Sequence, residues 1–272
     1  MSLVVNFNAA AINAHRNMLG TDKALQTSIP HLSSGLRVNT AADDPSGLVI
    51  SESMKAQADG LGQAIRNAND GINVIKTAEG ALNEVNNLLR QMRTLAVHAA
   101  NSGVNSTNDI AADQAAVDAA VASIDRISST TQFNGKLLLD GSYSGQTFQI
   151  GANSTDTVSV DINAQDTGTL GVDALDLAGD AAGAIDSIDL AISSVSSDRA
   201  SLGSTQKYTL ETTVNSLGVA QENIQASAST ITDADMAAEM VQFTRNNILM
   251  QAGTAMLAQA NAAPQSVLQL LR

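Results

Sequence analysis

The chain has 272 residues, a net charge of −13, a pI near 4.4, no cysteine and no tryptophan. Its fourteen Lys and Arg are too few and too scattered to neutralise a phosphate backbone or an anionic bilayer, which excludes nucleic acid and membrane as partners. Without cysteine there is no disulfide, thiolate metal site or Cys nucleophile.

Apolar residues make up 44% of the chain but aromatic ones only 2%. Compact cores are commonly anchored on large rings. Here Ala, Leu, Ile, Val and Met must carry the burial, which suits long, thin helical contacts and an extended shape. No apolar run approaches the ~20 residues of a membrane span. The start, Met-Ser-Leu-Val-Val-Asn-Phe-Asn, lacks a basic region and has a three-residue apolar run. No secretory signal peptide is expected, and an exported chain would need another route.

Residues 4–36 read as an amphipathic helix, with Met18, Leu25 and Leu32 recurring every seven residues and interleaved with Asp22, Ile29 and Leu36. Pro30 is expected to end or bend it. Leu32–Ser51 then forms a densely specified connector. Gly35 and Gly47 permit unusual backbone angles, Pro45 biases Asp44 away from helix, and Asn39, Asp43, Asp44 and Ser46 are turn formers. Helical period resumes over 44–100, with Ile65, Ile72, Ile75, Leu82, Val85, Leu89, Met92 and Ala96 on one stripe. After a turn at Asn101–Asn108, Thr107 or Asn108 is placed to cap a helix over 109–129 carrying Ile110, Val117, Val121 and Ile124.

At Phe133-Asn134-Gly135 the composition changes, and the period falls to two. Phe148 and Ile150 alternate with polar residues, as do Val158, Val160 and Ile162, and Gly151–Asp156 joins the two strands as a hairpin. Residues 163–180 are loosely patterned. Helical period returns at Ile185, Ile188, Ile192, Val195 and Leu202, then becomes a heptad through Leu210, Val214, Leu217, Gln221, Ile224, Ala228 and Ile231. Thr232–Asp235 reads as a capping box for a last helix, with Met236, Met240, Phe243, Met250 and Leu257 on one face. Pro264 is expected to end that pattern before an apolar tail. Termini are normally polar and loose. Apolar coiled-coil ends need each other or further copies of the chain.

Several segments together resemble a known family. Asn8-Ala-Ala-Ala-Ile-Asn-Ala-His-Arg-Asn17, Leu32-Ser-Ser-Gly-Leu-Arg37, Ala42-Asp-Asp44 with Gly47-Leu48, and Arg66-Asn-Ala-Asn-Asp-Gly71 are similar to the N-terminal half of bacterial flagellin. So are Thr77–Leu82, Leu95–Val97, Ile124–Arg126 and Phe133–Leu138. Ile231–Met236 and Pro264–Leu271 resemble the C-terminal half. The likeness covers about 1–140 and 181–272.

The resemblance implies a mainly α fold of long antiparallel coiled-coil helices with a small β-hairpin insert. Residues 1–36 and 232–272 would pair as an inner coiled coil lining an axial channel, and 37–140 and 181–231 would form an outer rod. Residues 141–180 would hold the hairpin and a reduced variable segment. The implied function is a structural subunit that polymerises into the extracellular flagellar filament for motility, its terminal helices ordering on assembly. Inner packing falls to Ile12, Met18, Leu25, Leu32, Met240, Phe243, Met250 and Leu257. Implied partners are copies of itself, the type III export apparatus and a chaperone, and the filament cap and hook-junction proteins. No cofactor is implied, and the localisation is secreted, on the flagellum.

The patch by which host Toll-like receptors sense many flagellins corresponds to Arg90, Gln91, Arg93 and Leu95. The family commonly reads Arg-x-Arg-Glu-Leu there, and this chain lacks the first Arg and the Glu in that register, so weak activation is implied. Family members are often O-glycosylated, which points to Ser142, Ser144, Ser154 and Thr155. The sequons Asn105-Ser-Thr107 and Asn153-Ser-Thr155 read first as turns. Ser204-Thr-Gln-Lys207 matches a Ser-x-x-Lys acylation motif but stands without its companions inside a helix, so it carries no catalysis. His15, His31 and His98 form no zinc motif. A hook–filament junction protein is the alternative of similar fold. A signalling coiled coil is the alternative of another class, but it leaves the β insert and the apolar ends without a role.

Overall fold

The computed structural model describes residues 7–270, with side chains through residue 262. In chain order it comprises α1 (Ala9–Ser34), α2 (Pro45–Ala99), α3 (Thr107–Thr130), β1 (Gln132–Phe133), β2 (Lys136–Leu137), β3 (Gln146–Gln149) and β4 (Thr157–Val160). There follow the one-turn α4 (Thr167–Leu170), α5 (Ala181–Ser204), a π-helical segment (Thr205–Glu211), α6 (Thr212–Thr232) and α7 (Met236–Leu270). Long helices with small antiparallel strand pairs are thus the observed class. Two compact units divide the chain, Gln57–Glu222 and Met1–Ala56 with Asn223–Arg272, the divisions falling inside α2 and α6.

The Gln57–Glu222 unit is built on one stripe of α2. Leu61, Ala64, Ala68, Gly71, Ile75, Ala78, Leu82, Val85, Leu89, Met92, Ala96 and Ala99 alternate three and four residues apart, and all are buried. Val117 and Ile124 of α3 and Ile188, Val195 and Leu202 of α5 join the stripe from Ala68 onward in one core. Each fully buried Leu or Ile contributes about 1.5–3 kcal/mol relative to exposure. Gly71 is the tight point of the stripe, because an added Cβ would lie 3.4 Å from both Leu210 and Phe148.

Ile188, Val195 and Leu202 are seven apart, and so are Leu210, Leu217, Ile224 and Ile231, but Leu202 and Leu210 are eight apart. One extra residue rotates an α-helix by ~100°. The π segment lies in this interval and absorbs it, so Leu202 and Leu210 are both buried.

β3 and β4 pair antiparallel with Gln146 opposite Val160 and Gln149 opposite Thr157, the hairpin expected from the alternation. A second, smaller hairpin lies upstream. Phe133-Asn134-Gly135, which sequence alone marks only as a change of composition, is its turn: Asn134 and Gly135 have φ of 49° and 80°, the left-handed pair that a two-residue turn needs between β1 and β2. Residues 163–180 are better fixed than their pattern indicates. Leu170, Val172 and Leu177 are buried, Asp125 accepts from the backbone N–H and hydroxyl of Thr167, and Asp198 accepts from the amides of Asn163 and Gln165.

Three terminal details differ from expectation. Ser106, not Thr107 or Asn108, caps α3, in a reciprocal box with Asp109. Asp235, not Thr232, caps α7, accepting from the N–H groups of Ala237 and Ala238, while Thr232 turns its hydroxyl back to Ala228. α7 runs beyond Pro264 to Leu270. Residues 4–6 of the expected first helix and the last two residues of the tail lie outside the described residues.

In the Met1–Ala56 and Asn223–Arg272 unit, Pro30 sits inside α1 and does not end it. It falls in the penultimate turn, where the missing N–H costs one hydrogen bond and Ser34 Oγ still donates to its carbonyl at 2.8 Å. The stop is Gly35, in the left-handed region at φ 75°, whose N–H reaches His31 O. The connector then pairs with the chain before α7. Arg37 and Val38 donate backbone N–H groups to Thr232 O, Ala234 donates to Gly35 O, and the Arg37 guanidinium reaches Ile231 O at 2.6 Å. Asp43 accepts from the N–H of Thr40, its hydroxyl and the N–H of Asn39; bonds to Thr40 above all hold its carboxyl below the ordinary range. Asp44 Oδ1 accepts from Gly47 N, and Pro45 takes the first helical position of α2, where its missing N–H has no bond to lose.

Candidate functional site

α1 and α7 pair antiparallel. Asn8 Nδ2 donates to Ala260 O at 2.8 Å, Met18 packs near Gly253, and His31 Nδ1 lies 3.8 Å from a Glu239 carboxylate oxygen. On α1, Ala11, Ala14, Met18, Thr21, Leu25, Ser28 and Leu32 are at least half-buried, spaced alternately three and four. On α7 the same holds for Glu239, Phe243, Asn246, Met250, Gly253, Leu257 and Ala260. Each is the a/d seam of a coiled coil, and small residues make room for large ones on it, Gly253 facing Met18.

Met18, Leu25, Leu32, Phe243, Met250 and Leu257 therefore stand on the seam. Asp22 and Ile29, read from sequence as the interleaved positions, do not: Thr21 and Ser28 take that place, and both Asp22 and Ile29 are exposed. Ile12 and Met240 also face away from the partner helix, 45% and 51% exposed. Further exposed apolar rows run beside them. Ile12 and Leu19 are seven apart on α1, as are Val241 with Ile248 and Leu249 with Met256 on α7, all exposed. Sequence reasoning passed over the α7 rows, although their heptad spacing was in plain view.

The α7 rows border two open grooves. One of about 470 Å³ is lined by Met240, Val241, Thr244, Arg245, Ile248 and Leu249. The other, about 730 Å³, runs along both helices past Met18, Leu249, Gly253 and Met256. The seam itself is shallow. Ser28 is the one fully buried residue of α1, and α7 has none among the described residues, whereas the α2 stripe is closed from solvent.

The other candidate residues sit in the Gln57–Glu222 unit. Arg93 is engaged by Asp189 through two bonds of 2.6 and 3.2 Å, which raises its own basicity and holds the Asp189 carboxyl low. Arg90 donates to Asn87, Gln91 is exposed, and Leu95 packs half-buried on the core. Ser142, Ser144, Ser154 and Thr155 are all exposed, with Ser142 donating to Asp140. Ser204 and Lys207 are exposed, Ser204 just before the π segment and Lys207 within it. His98 pairs with Asp113 at 2.6 Å, and no group of three potential metal ligands occurs among the described residues. No described helix is long and apolar enough to cross a membrane.

Residues 5–144 match the bacterial flagellin N-terminal helical region and residues 185–271 the bacterial flagellin C-terminal helical region. The chain is 48% identical over 276 residues to a flagellin of Halalkalibacterium halodurans, covering 99% of this chain and 100% of that one. It is 44% identical over 303 residues to a flagellin of Bacillus subtilis, at 98% and 99% coverage. A flagellar filament 33 kDa core protein of Treponema phagedenis is 43% identical over 288 residues, at 99% and 100%. The unmatched residues between the two regions hold β3, β4 and α4. Paired terminal helices with apolar rows left open are what a polymerising subunit requires, and the chain belongs to the bacterial flagellins, as a structural subunit of the flagellar filament and not an enzyme.

Proposed function

We propose that this flagellin assembles through the α1–α7 coiled coil, which becomes fully ordered only when neighbouring copies cover its remaining rows. The observation that carries this is the contrast between a coil with a half-buried seam and a unit with a closed core. Burying Ile12, Leu19, Met240, Val241, Ile248, Leu249 and Met256 against neighbours offsets the entropy of fixing two long helices, which the seam alone does not. Contacts that join unlike surfaces and do not close on themselves give an open helical polymer. Electron microscopy after salting-out, paired with trypsin treatment, tests this. Filaments should form, and cleavage after Arg16, Lys23 and Arg245, rapid in the monomer, should be suppressed in them. Equal cleavage in both states would refute ordering on assembly.

The same apolar rows need cover before assembly, which supports a chaperone and passage through the flagellar export apparatus to the outside, followed by contact with cap and hook-junction proteins. Loss of the protein from the medium of export-deficient cells checks that route. For a host Toll-like receptor we expect weak activation. Arg93 is already committed to Asp189, and neutral Gln91 and Thr94 stand where the family has charge. A reporter assay on soluble monomer matching a strong activator would contradict this.

A further inference from the structure

The methionines of this chain are not placed alike. Met92 is fully buried on the α2 stripe, and Met18 and Met250 are half-buried on the α1–α7 seam. Met240 and Met256 are 51% and 62% exposed, and they line the two open grooves of α7, one each. Met236, at the first turn of the same helix, is exposed as well. With no cysteine anywhere in the chain, these thioethers are its most readily oxidised accessible groups.

We propose that Met240 and Met256 are oxidation sites that control polymerisation, an inference that rests on the assembly surface proposed above. A peroxide transfers one oxygen to the thioether. The S–O bond forms as the O–O bond breaks, the sulfur loses two electrons, and the remaining oxygen leaves as water. The product places a strong, polar S=O acceptor in a groove lined also by Val241, Ile248 and Leu249, with Thr244 and Arg245 as its polar members. While the groove is open, that acceptor is hydrated and the monomer tolerates it. When a neighbour closes the groove, the acceptor loses water that the thioether never held, and a bond to a lining donor such as Arg245 offsets only part of that loss, at a net cost that corresponds to about a tenfold rise in critical concentration. Assembly in turn removes the sulfurs from the oxidant, so the filament protects what the monomer leaves open.

The test uses the full chain and dilute hydrogen peroxide. Oxidised monomer should carry sulfoxide at Met240 and Met256 well before Met92 by peptide mass spectrometry, and its critical concentration should rise about tenfold. Treatment with methionine sulfoxide reductases should reverse the rise, and preformed filaments should oxidise at least several-fold more slowly at both sites. In M240L/M256L, the ratio of critical concentrations with and without peroxide should be near one, whatever that variant's starting value. Oxidation spread evenly to Met92, or unchanged assembly after full conversion of Met240 and Met256, overturns the inference. Failure of the untreated chain to polymerise would instead overturn the assembly surface itself, and this inference with it.

Discussion

A chain carrying Ile248→Asp is expected to fold as the parent does and to fail to polymerise. Ile248 is 60% exposed, lines the groove beside Met240 and Val241, and sits off the seam with α1. Substituting an exposed residue of this kind leaves monomer stability within about 0.5 kcal/mol. In a closed contact between copies, the same carboxylate loses its water in surroundings where Arg245 is the one cation lining the groove. Burying an ion in this way costs several kcal/mol. A penalty of ~4 kcal/mol raises the critical concentration by about three orders of magnitude. Circular dichroism of the monomer together with sedimentation under filament-forming conditions reads both halves. Polymerisation within tenfold of the parent would show that this face of α7 is not a contact.

The π segment gives the second large effect, because it separates two deletions of equal length. Removing Gln206 takes out the extra residue, so Leu202 and Leu210 become seven apart and the helix can continue as α with both on the core stripe. The cost is the Gln206–Glu211 hydrogen bond at the surface, and the melting temperature of the Gln57–Glu222 unit should barely move. Removing Ser194 instead turns the following segment by ~100°. Val195 and Leu202 then leave the core, and Asp198 leaves the Asn163 and Gln165 amides it holds. Losing two buried aliphatic side chains costs about 4 kcal/mol, which in a unit of this size lowers the melting temperature by roughly 10 °C. Equal destabilisation by the two deletions would refute the phase-absorbing role of the π segment.

Much of this was readable in the residues, and each miss has a physical origin. The long helices followed from heptad spacing and from the absence of proline between Pro45 and Pro264, and the β3–β4 hairpin from strict alternation. The interleaved positions of the α1 seam were misplaced by one residue, Asp22 and Ile29 standing in for Thr21 and Ser28, because hydrophobicity favours Ile29 over Ser28. A closely packed two-helix seam instead takes the small Ser28, which is the buried residue of α1, and leaves Ile29 exposed. The extra residue between Leu202 and Leu210 is visible as a spacing of eight, but no single residue marks it, since a π turn is a response of the backbone to a phase conflict. Residues 163–180 looked loose because their anchors are side chain–backbone and amide–carboxylate bonds, which leave no periodic trace. Of the residues expected on the α1–α7 seam, Met18, Leu25, Leu32, Phe243, Met250 and Leu257 came from the heptad, whereas the outward rows of α7 share that spacing and are told apart from the seam only by which face α1 occupies.

The shallow α1–α7 seam also bears on what stability means for this chain. A unit with a closed core melts at a temperature set by its own contacts. A pair of helices that relies on neighbours is stabilised by mass action, so its midpoint moves with protein concentration. On the proposed assembly the two units answer to different variables, and no single two-state free energy describes the whole molecule. Dilution is then expected to loosen the coil while leaving the Gln57–Glu222 unit intact.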